Sequence, residues 1–369
     1  MIETLHGFME PHAVAWIVGI FVALFVIGVP LFVTIGITTA LCLWLISGID
    51  TVTIPQNMFS TTDNVVLMAI PFFILAGVLM TAGDISRRLV AFSRSLVSWI
   101  PGGLAISAVG SCMIFAAISG SSPATVVAIG IIMYPALVAE RFPDRFSLGL
   151  VTSAGSLGIL IPPSIPMIIY AIVVGTSVAD LFLGGVGPGL LIGSILILYS
   201  LFTGWRHRIP TAPFRVSEVV TTFRHGFWGI MLPVLILGGI YSGAFTVTEA
   251  AGVSVVYAFV VETFIHRKTT VRQIPRLFSQ AAVEMGAILI IISVAVSLSW
   301  FLTVQRVPYE LAEWIQSVTD SRVGFLLILN GILLVTGCLM DIVSAILILA
   351  PLIAPIAKEY GVDPIHLGI

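Results

Sequence analysis

The feature that most constrains this chain is a series of long stretches without a charged side chain. Most reach the roughly 20 residues that a helix needs to cross about 30 Å of hydrocarbon. They are continuously apolar and lack the alternation of lipid-facing strands, which favours helices over a barrel. Of the 369 residues 58% are hydrophobic and 9% charged, so lipid must be the main solvent. The sequence therefore predicts an all-α polytopic membrane protein. The uncharged stretches are 11–49, 64–83, 95–139, 146–179, 181–205, 226–248, 285–305 and 323–340.

Lys and Arg side chains predict the orientation of these spans. Thirteen of the 16 fall in four loops, which the positive-inside rule places in the cytoplasm. The intervening loops near Asp50, Asp180 and Glu249 carry acids and no Lys or Arg, as expected outside. The four basic loops contain Arg87, Arg88 and Arg94; Arg141 and Arg145; Arg206, Arg208, Arg215 and Arg224; and Arg267, Lys268, Arg272 and Arg276.

The stretch 95–139 is the exception, because it is long enough for two spans yet has basic loops at both ends. Either two full spans form a hairpin, or two half-length helices dip into the membrane and return. Its centre, 118–125, is small and polar. A re-entrant hairpin fits better, because non-helical backbone at membrane depth is tolerated only in protein or water.

A second hairpin candidate joins 323–340 to 342–357 at Asp341. An offset of 219 positions places 139–149 over 358–368 with Glu, Asp, Leu and Gly coinciding. Each segment follows a hairpin candidate, and the charge argument points the hairpins in opposite directions. We therefore predict an inverted-topology repeat, as in many secondary transporters. The expected divisions are 1–64, N-terminal spans and outer loop; 65–205, first repeat with hairpin 95–139 and broken span 146–179; 206–280, connecting spans and cytoplasmic loops; and 281–369, second repeat with hairpin 323–357.

Two segments of the first repeat carry groups suited to binding. At the tip, 119–125, Ser hydroxyls and helix-end carbonyls are oxygen ligands for a sodium ion, and half-helix N-termini offer N–H groups to an anion. In 153–166, three prolines and two glycines break an uncharged span and free its carbonyls. The alternative for the tip is a satisfied turn whose small residues only pack helices. A broken span close behind the tip favours the functional interpretation.

Two carboxylates need separate interpretations. Asp341 lies between two apolar runs, where a carboxylate is costly and usually functional, although a helix cap is the alternative. Glu249 is interpreted as a first-turn acid after a capping Thr, without a binding role.

Other classes of protein find little support in the sequence. A net charge of -2 leaves no basic excess for nucleic acid. No phosphate-cradling Gly-Lys-Thr motif occurs, and the Ser residues lack evident His and Asp partners, so we expect no enzyme and no cofactor. The isolated Cys42, Cys112 and Cys338 predict buried thiols. The N-terminus through Glu10 carries acids rather than a basic region, so no signal peptide is expected.

At several of these segments the chain resembles the large membrane subunit, DctM type, of the TRAP (tripartite ATP-independent periplasmic) transporters. This resemblance implies an elevator-type carrier in the bacterial inner membrane, driven by sodium as coupling ion. It also implies a small four-helix membrane subunit, a periplasmic solute-binding protein, and organic-acid substrates such as C4-dicarboxylates or sialic acids. The matching stretches are 69–77, 118–121, 161–170, 238–243 with 248–251, and 345–351.

The resemblance also implies positions for the two binding sites. The family commonly has Glu-Pro where this chain has Asp341 and Ile342, and its second Pro-Pro break lies beyond Ile369, so we expect the chain as given to be truncated. Two rivals are a stand-alone divalent-anion:sodium symporter and a non-transporting scaffold subunit. The implied sodium ligands are Ser119, Gly120, Ser121, Ser122, Gly158 and Pro162, and the expected substrate contacts are Ser122, Pro123, Thr125, Pro163, Ser164 and Asp341.

Overall fold

The computed structural model describes residues 13–47 and 49–369, and in these residues all regular structure is helical. Seven of the described helices are long and apolar enough to cross a membrane, or eight if one bent pair counts as a single span. The predicted class, an all-α polytopic protein with hairpins and broken helices, is confirmed. The expectation about a signal peptide concerns residues 1–12, which lie outside the described residues.

The helices are numbered here in chain order. Short π-helical turns extend α2 and α12, over Leu43–Ser47 and Val261–Ile265. The helices are α1 Ala13–Val26, α2 Leu31–Cys42, α3 Thr53–Thr62, α4 Ala69–Ala82, α5 Ile85–Val97, α6 Gly103–Ser119, α7 Ser122–Ala139, α8 Asp144–Gly155, α9 Ile165–Val174, α10 Val178–Arg206, α11 Val216–Tyr241, α12 Val247–Val260, α13 Ile274–Val304, α14 Val307–Val318, α15 Arg322–Leu339, α16 Ile342–Glu359 and α17 Pro364–Gly368.

The chain divides into two compact units. The first holds residues 13–65, Ile169–Thr176 and Gly286–Gly368, and the second holds Val66–Ile168 and Ser177–Met285. In the first unit, α15 and α16 pack beside α14 around a buried apolar cluster, in which the rings of Phe325 and Tyr360 stack with centroids 4.6 Å apart. The division of the sequence into repeats and connecting spans stays a prediction.

Within the predicted uncharged stretch 11–49, the described residues form two helices, α1 and α2. Both helices lie in the first unit. Pro30 precedes the first residue of α2, where its fixed φ suits a helix start.

The first hairpin, in the second unit, consists of α6 and α7 rather than the whole of 95–139. Residues 85–97 form a separate helix, α5, with Arg94 on its exposed side. Gly102, at a φ of +81°, then turns the chain into α6. Hydropathy merged this turn with the hairpin arms because Pro101, Gly102 and Gly103 carry no charge.

The predicted broken span is confirmed. Helix α8 ends at Gly155, a single 3₁₀ turn covers Ser156–Ile159, and α9 begins only at Ile165. The intervening chain contains a cis peptide bond between Pro162 and Pro163. Two successive residues without an N–H group cannot continue the helical hydrogen-bond ladder, so the helix stops there.

Two carboxylates cap helices. Glu249 forms a capping box with Thr246: the Glu249 N–H donates to Thr246 Oγ1 over 3.2 Å, and the Thr246 N–H donates to Glu249 Oε2 over 2.8 Å. The interpretation of Glu249 as a first-turn acid after a capping Thr is confirmed. Asp341 caps α16, because its Oδ2 accepts hydrogen bonds from the N–H groups of Val343 (3.0 Å) and Ser344 (3.2 Å).

Helices α7 and α16 repeat the same local structure at an offset of 220. Both have 18 residues, and Pro135 and Pro355 occupy equivalent places, since 355 less 135 is 220. Each helix is followed by one residue near φ -80° and then by a left-handed residue at φ 68°, Arg141 or Gly361. The helix ends therefore give an offset of 220, one residue more than the 219 obtained from the sequence. Four identical residues define the alignment of a repeat less well than the ends of its helices do.

The cysteine prediction is right for two residues and wrong for the third. Cys42 and Cys112 are buried free thiols, whereas Cys338 is free but exposed. Cys338 lies near the end of α15, which also exposes Leu334 and Val335. An apolar run does not distinguish a side chain packed in protein from one that faces lipid.

Candidate ion and substrate site at the hairpin tip

The tip of the first hairpin is a buried set of oxygen atoms between two helix ends. Gly120, at a φ of +60°, ends α6, and α7 begins at Ser122 with Pro123 in its first turn. The hydroxyls of Ser119 and Thr125 lie 2.9 Å apart, and these residues are 2% and 0% exposed. Polar groups this deeply buried must satisfy one another or a bound ligand.

The carbonyl oxygen of Ser121 lies at the centre of this set. It accepts hydrogen bonds from the Thr125 N–H (3.1 Å), from Thr125 Oγ1 (2.9 Å) and from Ser119 Oγ (3.3 Å). Because each hydroxyl carries a single proton, the Ser121 carbonyl and the Thr125 hydroxyl are alternative acceptors for the Ser119 proton. The tip is therefore an ordered turn.

The broken span packs directly on the tip. A Cβ atom on Gly158 would lie 2.6 Å from the Ser121 oxygen and 2.8 Å from Thr125 Oγ1. A Cβ atom on Gly120 would lie 2.7 Å from the Pro163 oxygen, and the Ile165 N–H donates to the Gly120 carbonyl over 3.2 Å. The structure thus brings together the two segments singled out from the sequence, and glycine on each side permits their contact.

A third wall comes from α4. A Cβ atom on Gly77 would lie 3.5 Å from Ser119 Cα and 3.6 Å from the Ser119 carbonyl oxygen. Sequence reasoning did not select Gly77 as a site residue. Its signal was the small pair Ala76 and Gly77 within the apolar run from Phe72 to Met80, since small residues mark close helix approach.

The tip presents free acceptors on one side and free donors on the other. Among the described residues, no N–H group donates to the carbonyls of Ser119 and Pro163, and the N–H groups of Ser122 and Ala124 find no protein acceptor. The end of α6 carries partial negative charge and the start of α7 partial positive charge. The free carbonyls at the negative helix end suit a cation. The free N–H groups at the positive helix end suit an anion.

Burial separates the predicted site residues into an inner and an outer set. Ser119, Thr125 and Gly158 are buried, whereas Ser122 is half-buried and Pro123 is exposed. The inner set is enclosed by protein, whereas the outer set is accessible at its surface. The remaining tip residues follow this division, with Gly120, Pro162 and Pro163 buried and Ser121 half-buried.

Ser164 and Asp341 have hydrogen-bond partners that account for their side chains. Ser164 is fully buried, and its Oγ donates to the Ile159 carbonyl over 2.5 Å, which closes the break. Asp341 lies in the first unit, where it caps α16 with Oδ2 and bonds the Ser344 hydroxyl with Oδ1. The helix-cap alternative therefore describes its observed contacts, and substrate binding by either residue stays a prediction.

A polytopic helical protein with a buried hairpin tip packed on a broken helix belongs to the architectural class of secondary transporters. The chain matches the family model "Tripartite ATP-independent periplasmic transporter, DctM component" over residues 18–369. It belongs to this family. The resemblance noted from the sequence is thereby confirmed.

Three relatives illustrate the membership. The C4-dicarboxylate TRAP transporter large permease DctM of Pseudomonas aeruginosa is 44% identical over 91% of this chain and 79% of its own length. The protein of the same name from Rhodobacter capsulatus is 39% identical over 96% of this chain and 84% of its own length. The isethionate TRAP transporter permease DctMQ of Oleidesulfovibrio alaskensis is 36% identical over 95% of this chain and 56% of its own length.

A solved structure shares the fold. The Alcanivorax borkumensis YdaH transporter, described as having an unusual topology, superposes with a TM-score of 0.55. The match covers 85% of this chain and 73% of that protein at 17% sequence identity. At this identity the similarity concerns the fold alone.

Proposed function

We propose that this chain is the large permease subunit of a sodium-coupled secondary transporter that imports a small organic acid across the bacterial inner membrane. The acid is delivered by a periplasmic binding protein, and a small four-helix membrane subunit completes the permease. One observation carries the proposal: the contact between the buried hairpin tip and the broken span, around Ser121 and Gly158. Such interrupted helices surround ions and solutes in secondary transporters.

The inner side of the tip supports the proposal of a sodium site. The hydroxyls of Ser119 and Thr125 and the free carbonyls of Ser119 and Pro163 are hard oxygen donors at the negative end of α6. A buried carbonyl that receives no hydrogen bond from the protein is costly. A bound cation removes that cost, so sodium binding stabilises the closed contact of tip and break.

The outer side of the tip supports the proposal of an anionic solute. The free N–H groups of Ser122 and Ala124 stand at the positive end of α7, beside exposed Pro123. The relatives' names include C4-dicarboxylates and isethionate, which are all small organic anions. A carboxylate or sulfonate oxygen would accept from these N–H groups, while sodium nearby compensates its charge.

The partners are proposed from the family. Its name specifies a tripartite, periplasmic system, and one relative carries the compound name DctMQ. An elevator movement, in which the unit that contains the tip carries solute across the membrane, fits the tip, whose described contacts come from residues 77–165. These residues lie in a single compact unit.

The proposal is tested with the complete permease and the small subunit reconstituted in proteoliposomes under an inward sodium gradient. Labelled succinate, malate and isethionate are offered with and without the soluble receptor. We expect uptake of one or more acids only with receptor and sodium together. Uptake without receptor would identify a stand-alone symporter instead. Absence of uptake, together with no sodium-dependent thermal stabilisation, would favour the scaffold.

A further inference from the structure

A cavity of about 560 Å³ lies where α10 ends, in the second unit and away from the hairpin tip. The cytoplasmic charge pattern places it at the inner face of the membrane. Two guanidinium groups and one indole ring line it, together with backbone from the start of the first hairpin. The lining residues are Pro101, Gly204, Trp205, Arg206, Arg208 and Ile209.

The walls of this cavity are fixed by close packing. Gly102 and Gly204 approach so closely that a Cβ atom on either residue would overlap the other's helix segment. Ile209, which lines the cavity, is itself buried, and the Ala212 N–H donates to the Ser98 carbonyl over 3.0 Å. The chain after α10 is thereby held against the turn that precedes the hairpin, and the cavity is part of the fold.

The positive charge in the cavity is not neutralised by protein. Arg206 and Arg208 are exposed, and in the described part of the chain neither forms an ion pair. Residues 181–217 contain no Asp or Glu. The last carbonyls of α10 already accept backbone hydrogen bonds from the N–H groups of residues 207–209. The two guanidiniums are therefore free to bind an anion from outside the chain.

An exposed apolar stripe on α10 leads to the cavity. Its members follow one another at spacings of four and three residues, so they share one face of the helix. The stripe ends at Trp205, a residue type that favours the boundary between hydrocarbon and headgroups. The members, with their exposed fractions, are Leu191 63%, Ile195 55%, Leu198 63%, Phe202 51% and Trp205 70%.

We propose that this cavity and stripe form a binding site for one anionic phospholipid of the cytoplasmic leaflet. The phosphate binds between Arg206 and Arg208, because guanidinium groups form strong, charge-assisted hydrogen bonds to phosphate oxygens. One acyl chain lies along the stripe from Trp205 to Leu191. A basic site next to an apolar helix face fits this ligand better than a free phosphate ion, which has no use for the stripe.

The test uses native mass spectrometry of the purified permease with added phosphatidylglycerol or phosphatidylcholine. We expect the doubly substituted R206Q/R208Q to bind phosphatidylglycerol at least about five-fold more weakly than the unmodified protein. The control R272Q/R276Q removes two cytoplasmic arginines elsewhere and should bind it normally. Trp205→Ala should weaken retention without changing the preference for the anionic lipid.

Three results would overturn the proposal. The first is equal phosphatidylglycerol binding by R206Q/R208Q and R272Q/R276Q, with both shown to be folded by circular dichroism. The second is phosphatidylcholine binding as strong as that of phosphatidylglycerol. The third is complete displacement of the lipid by millimolar inorganic phosphate, which would assign the cavity to a free anion.

Discussion

Gly158 lies directly against the carbonyl oxygen of Ser121, so that a Cβ atom there would stand only 2.6 Å from it. This contact joins the broken span to the hairpin tip. It depends on the absence of one side chain, because oxygen and a methyl carbon cannot approach so closely. The proposed ion site therefore tolerates only glycine at this position.

We predict that Gly158→Ala separates the tip from the break and lowers the free energy of unfolding by about 1–3 kcal/mol. It should also raise the sodium concentration for half-maximal uptake. Gly149→Ala in α8 is the matched control, because a Cβ atom there meets nothing within 4 Å. Equal stability and uptake for both variants would show that the contact is unimportant.

We predict that the hydroxyl groups of Ser119 and Thr125 stabilise the fold by hydrogen bonding to each other. Ser119→Ala leaves the buried Thr125 hydroxyl with one partner fewer, which costs about 1–2 kcal/mol. A double-mutant cycle of Ser119→Ala and Thr125→Val, followed by chemical unfolding in mixed micelles, should give a coupling energy of at least about 0.5 kcal/mol. Strictly additive effects would place the two hydroxyls in independent environments.

Two substitutions of Asp341 distinguish its role as a helix cap from a role in substrate binding. Asp341→Asn should keep the stability of the protein, because Asn caps as well as Asp, whereas Asp341→Ala should lose about 1 kcal/mol. If the carboxylate contacts the solute or its ion, folded Asp341→Asn should lose uptake. Uptake unchanged in that variant would restrict Asp341 to the cap.

Gly83 provides space for a buried carboxylate. Glu262 is fully buried, its Oε1 lies 3.4 Å from His266 Nδ1, and a Cβ atom on Gly83 would overlap its carboxylate. Gly83→Ala should therefore lower the free energy of unfolding by about 1–3 kcal/mol. The control is Gly252→Ala in α12, the helix that the π-helical turn with Glu262 extends. A Cβ atom on Gly252 meets nothing within 4 Å, so this variant should be neutral or slightly stabilising. A neutral Gly83→Ala would mean that the carboxylate moves away without cost.

Hydropathy and small-residue patterns predicted much of this architecture, including the helical class, the hairpin tip at Ser119 and the break before Ile165. These features follow from local chemistry: lipid excludes charge, and proline stops a helix. The sequence indicated only that the broken span follows closely behind the tip. It did not predict the contact between Gly120 and Pro163, because the distance between these residues depends on how the two segments pack.

Other features required the folded chain. The start of the hairpin at Gly103 was hidden because the turn before it is as uncharged as the helices. Gly77 was missed because its role is to leave room for a neighbour distant in sequence. The exposure of Cys338 and the stripe that ends at Trp205 depend on which helix face meets protein, which hydropathy alone does not report.

The sodium dependence of uptake tests the central claim most directly. Initial uptake rates are measured in proteoliposomes with receptor, over a range of sodium concentrations with potassium as replacement, for the unmodified permease and for S119A/T125V. We predict no uptake without sodium, and for the folded double variant a several-fold higher sodium concentration at half-maximal rate. Sodium-independent uptake, or an identical sodium dependence in the variant, would contradict the assignment of the tip as the ion site.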